Sequence, residues 1–90
     1  MFEEKGDYLF DTFEKFNEAY EILVEQGESL YSPGYYAKYG VSRQLLYIWS
    51  TRDKKIRRFI FNTEESKNDR FIFVVESDVM EALKVSRMSK

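Results

Sequence analysis

Arg43 and Gln44 follow directly on a Gly40-Val41-Ser42 turn in the segment "YGVSRQLLYIW", and Tyr47 stands four residues after Arg43. A guanidinium can hold guanine O6 and N7, and a carboxamide can hold adenine N6 and N7. Each such bidentate pairing discriminates between bases by roughly 1–3 kcal/mol. Helical periodicity puts Arg43, Gln44 and Tyr47 on one side, and Val41, Leu46 and Trp49 on the side a small domain must bury. Just downstream, "RDKKIRR" places six charges in seven residues around Ile56, five of them positive. Arg52, Lys54, Lys55, Arg57 and Arg58 are therefore expected to hold backbone phosphates, contacts that set register without reading sequence. Lys38, shortly before the turn, is expected to join them.

Such chemistry sits oddly in a chain of net charge -2 until the charge is counted by segment. Residues 1–31 carry two Lys against nine Asp and Glu, residues 32–70 nine Lys and Arg against four, and residues 71–90 three against three. The acidic front and basic middle point to a polyanionic partner for one part and a different task for the other. With no Cys and no His, thiolate nucleophiles, Cys/His zinc sites and the usual general base are excluded. No glycine-rich phosphate loop or metal-ligand spacing stands out, so neither enzymatic activity nor a cofactor is expected. The opening "MFEEKGDYLF" is acidic where a secretory leader would be basic, and no apolar run reaches membrane-spanning length. A cytoplasmic protein with no membrane partner is expected.

These residues must be carried by elements that fit one domain of ninety residues. Leu9, Phe13, Phe16, Tyr20 and Leu23 recur at helical spacing and predict an acidic amphipathic helix over Asp7 to Gln26, stopped by Gly27. Asp11 and Glu14 have capping-box spacing. Ser32-Pro33 opens a short helix, Gly40 and Val41 form a turn, and Ser42 recaps a helix running to about Arg52. "RRFIFN" and "RFIFVV" flank the polar "TEESKND" and predict an antiparallel hairpin over Arg57 to Val75. Lys67 and Arg70 on that hairpin are placed to reach a DNA backbone or minor groove, against Glu64, Glu65 and Asp69. A last helix is expected from Asp78. The tyrosines Tyr31, Tyr35, Tyr36 and Tyr39 fit core and rim better than a base-stacking platform.

"GVSRQLLYIW", then "KI", a basic strand, a polar connector and "RFIFVVESDVMEAL" resemble the small winged helix-turn-helix domains of the MerR-like and excisionase type. The resemblance covers about Tyr31 to Val85. It implies that Ser42, Arg43, Gln44 and Tyr47 face the major groove, that Leu46 and Trp49 are buried, and that Val41 plugs the turn. Leu45 and Ile48 stand where that family often carries Thr and Arg. The expected fold is thus α+β and mostly α, of order α-α-α-β-β-α. An acidic amphipathic helix (1–30) precedes a winged helix-turn-helix domain (31–90), the whole forming one unit.

The implied function is sequence-specific binding of double-stranded DNA, as a small transcriptional regulator or excisionase-like factor of a phage or other mobile element. The alternative is a protein-interaction adaptor or anti-repressor type inhibitor on the same scaffold, using the acidic helix or Leu45 and Ile48. The helical stripe from Leu9 to Leu23 is expected to pack on its own domain, or to pair with a second chain or another protein partner.

Overall fold

The two aromatic runs form antiparallel strands, pairing Phe59 with Phe73 and Phe61 with Phe71. They are the centre of the architecture. The computed structural model describes residues 2–62 and 70–88. Its elements in chain order are β1 (Gly6–Phe10), α1 (Phe13–Glu25), β2 (Leu30–Tyr31), a 3-10 helix (Pro33–Tyr39), α2 (Arg43–Thr51), β3 (Arg57–Asn62), β4 (Arg70–Val75) and α3 (Glu76–Met88). The strands form one mixed sheet in the order β1-β3-β4-β2, with β1 parallel to β3 and β2 antiparallel to β4.

This corrects the expected α-α-α-β-β-α winged helix-turn-helix: the protein is a small α+β domain built on a four-stranded mixed sheet. The difference lies at the front. Residues 6–10 form a strand, and the predicted helix from Asp7 begins only at Phe13. Thr12, rather than Asp7 or Asp11, caps it, its side-chain oxygen accepting from the Lys15 N–H at 3.3 Å. Leu9 matches the helical stripe by coincidence of spacing, because β1 is held by hydrogen bonds to β3, about fifty residues away, that no local period reports. Gly27 does end α1, with a φ of 86° that a side chain would strain.

Alternation along β3 and β4 sends neighbouring residues to opposite faces. One face carries Phe59, Phe61 and Val75, joined by Leu30, and receives Phe16, Ala19 and Leu23 of α1. The other face meets Tyr36, Val41, Leu46, Trp49, Val79 and Ala82 over Ile56 and Val74. Because both faces are covered, β3 is buried from Arg57 to Phe61. The acidic helix and the helix that carries Arg43 therefore lie on opposite sides of the sheet. Phe59 also stacks on Tyr8 at 5.0 Å, so β1 extends the aromatic layer. Replacing a buried ring of that kind with Ala typically costs about 3–5 kcal/mol.

Candidate nucleic-acid interface

The segment from Pro33 to Thr51 folds as its punctuation demands. Pro33 starts the 3-10 helix, and Gly40 ends it at a φ of 77°, in left-handed backbone that favours glycine. Val41, 1% exposed, drops into the core immediately after. Ser42 then caps α2, its Oγ accepting the Leu45 N–H at 3.1 Å. Tyr36 ties the 3-10 helix to the sheet by donating its hydroxyl to the Val74 carbonyl at 2.6 Å. Burial pushes its phenol above the ordinary range, so this donor keeps its proton.

Leu46, Trp49 and Ser50 are the buried side of α2, which leaves Ser42, Arg43, Gln44 and Tyr47 exposed. Arg43 borders a groove of about 210 Å³ with Ser32, Pro33, Phe71 and Ile72. Tyr47 is 55% exposed and carries the Arg58 guanidinium 5.3 Å from its ring centroid. Leu45 packs against the core cluster and is only partly accessible.

The basic residues divide into two populations. Arg52 is exposed at the end of α2, its Nε donating to neighbouring Asp53 at 3.1 Å. Lys54 and Lys55 follow it on the surface, Lys54 in left-handed backbone at a φ of 54°. Lys38 projects from the 3-10 helix, its Nζ 3.8 Å from the Tyr35 ring centroid. Along the helix axis Arg43 and Arg52 are about 14 Å apart, at the standard rise per residue.

Arg57 and Arg58 do not belong to this surface. Their side chains are each 8% exposed. Arg57 donates through Nε to Asp78 at 2.7 Å, through Nη2 to Glu28 at 2.6 Å, and through Nη1 to the Phe2 carbonyl at 3.1 Å. Arg58 donates to both carboxylate oxygens of Asp7, through Nε at 2.7 Å, and Asp7 also accepts from Ser50. The expected phosphate role gives way to an internal one, because consecutive residues of a central strand point to opposite covered faces and each cation needs a carboxylate there. Hydrogen bonding to Asp78 holds the Arg57 pKa above its ordinary value. Burial resists ionisation of Asp7, but the bonds from Arg58 and Ser50 outweigh it and hold its pKa below the usual carboxylate range.

These two networks went unread in the sequence. The signal was the uninterrupted "FIF" after "RR", which marks a strand buried on both faces and so forbids free arginines at its root. The last helix, expected from Asp78, starts at Glu76, so Asp78 lies inside the first turn of α3, 3% exposed and facing Arg57 and Lys5. Lys67 lies outside the described residues, and Arg70 opens β4 opposite Asn62.

No family model, curated protein or solved structure matches the chain. Among the described residues, no helix is long and apolar enough to cross a membrane, and no group of three or more His, Cys, Asp or Glu is placed to hold a metal ion.

Proposed function

We propose that the exposed side of α2 binds double-stranded DNA sequence-specifically, as in a small transcriptional regulator or excisionase-like factor. Arg43 and Gln44 read base edges, Ser42 and Tyr47 contact the groove beside them, and Arg52, Lys54 and Lys55 hold phosphates, with Lys38 adding charge from the 3-10 helix. The observation that carries this reading is the exposure of Arg43 and Gln44 at the first turn of α2, on the side of the sheet away from acidic α1. The resemblance of the sequence from Tyr31 to Val85 to excisionase-type domains supports it. The internal pairing of Arg57 and Arg58 narrows the phosphate set to the end of α2.

Three neutralised phosphates give a salt slope near -2.7, so affinity should fall about forty-fold between 50 and 200 mM salt. The test is site selection from random duplexes followed by gel shifts with competitor. A shared motif retarded at low salt is expected. No retardation at 50 mM salt would overturn the reading and leave the protein-adaptor alternative.

A further inference from the structure

The two edges of the sheet end differently. β2 covers β4 only at Leu30 and Tyr31 before Ser32 and Pro33 lead the chain away. β1 runs for five residues along the opposite edge, and no described strand pairs with its outer side. In a parallel ladder a residue turns both its backbone groups to the same side, and the next residue turns them to the other. The Gly6 N–H donates to the Ile56 carbonyl at 2.8 Å, so Gly6, Tyr8 and Phe10 face β3. The N–H and C=O of Asp7 and Leu9 consequently point outward.

Proteins normally blunt such an edge with proline, a bulge or an outward charge. From Gly6 to Phe10 the only charge is Asp7, and its carboxylate is drawn inward onto Arg58 and Ser50. Leu9 is 77% exposed, and a groove of about 510 Å³ lies beside it, lined by Phe2, Phe10, Ala19 and Ile22 among others.

We infer that β1 pairs antiparallel with β1 of a second copy of this chain, fusing two four-stranded sheets into one of eight strands about a two-fold axis at Tyr8. Self-complementarity selects a second copy over an unrelated strand. A hydrogen-bonded antiparallel pair needs both residues to face across the gap. That requirement matches Asp7 with Leu9 of the second copy, and Leu9 with Asp7 of it, in one symmetric register. In this register Gly6 lies opposite Phe10 of the second copy, a bare backbone beside an aromatic ring. At both ends Lys5 falls opposite Asp11, cation against carboxylate. Asp11, 77% exposed in a surface pair with Lys15, is accessible to a second chain, and Lys5, 35% exposed, would share its ammonium between Asp78 and that carboxylate. The two-fold axis stands perpendicular to the sheet, which puts both α2 helices on one face and both acidic α1 helices on the other. The inference stands on the edge itself and does not require the DNA reading.

Sedimentation velocity over a concentration series, paired with amide hydrogen exchange, tests it without DNA. The expected result is a species of twice the 10.9 kDa chain mass, with the Asp7 and Leu9 amides exchanging at least tenfold more slowly in it than in the diluted monomer, and Tyr8 little changed. Leu9→Lys should return the protein to monomer, and Asp11→Lys should weaken association at least tenfold. Both positions are exposed, so the urea midpoint of the diluted protein should hold in each. A single-chain mass at every concentration would overturn the inference. So would a dimer that both variants leave unchanged, or one in which the Asp7 and Leu9 amides gain no protection.

Discussion

Arg57 and Arg58 at the root of β3 and Arg43 and Arg52 at the two ends of α2 are the same residue type within sixteen positions, yet they have opposite fates. The first pair is 8% exposed and bound to Asp78, Glu28 and Asp7. Of the second pair, Arg43 is exposed, and Arg52 is 73% exposed and paired with its neighbour Asp53. What separates them is where secondary structure points each side chain and whether a carboxylate waits there. A central strand between two covered faces offers no solvent, so its arginines become internal anchors. A helix lying on one face keeps an outer side, and its arginines stay available to a ligand.

The comparison breaks most visibly at Asp78. Asp78→Ala leaves Arg57 buried with Glu28 and the Phe2 carbonyl as partners, and removing one partner of a buried ion pair typically costs about 3–5 kcal/mol. Urea unfolding should show that loss; a cost under about 1 kcal/mol would mean that Arg57 is not an anchor. Asp7→Asn should cost about 1.5–3 kcal/mol, the range for hydrogen bonds to a charged group. It also has a pH signature. Because the folded pKa of Asp7 lies below its unfolded value, its contribution is fully present above the ordinary carboxyl range, near pH 4. It is lost as pH falls through the folded value. Asp7→Asn should therefore be destabilised at neutral pH and show a shallower loss on acidification than the parent, read from urea midpoints across pH 2–7.

Arg43→Ala sharpens the other half of the contrast. It should change the unfolding free energy by less than about 0.5 kcal/mol, as an exposed substitution does. Its cost on a preferred duplex should be about 1–3 kcal/mol, with selectivity relaxed at one position. Lys55→Ala should give the smallest effect, weakening all duplexes alike and flattening the salt slope by about 1.

Much of this was legible because local rules decide it. The Pro33 start, the Gly40 turn, the Ser42 cap, the hairpin and the Phe16 to Leu23 face of α1 all follow from spacings within a few residues. β1 was not legible: its five residues offer too few alternations to outweigh the helical spacing of Leu9 with Phe13, and its support comes from β3. The buried arginines were hidden for the same reason. Asp7 and Asp78 reach them only after residues far apart in sequence share one sheet, so a basic run read alone looks like surface. The exposed residues of α2 were readable because a capped amphipathic helix declares its own outer face.

The most direct test measures binding and folding in the same samples. Fluorescence anisotropy on a selected duplex and a scrambled one, at 50 and 200 mM salt, would be set beside urea midpoints for the parent and for Arg43→Ala. The account predicts preference for the selected duplex in the parent, its loss in Arg43→Ala, and midpoints that coincide. Absence of duplex binding at 50 mM salt, or equal loss on both duplexes in Arg43→Ala, would contradict it.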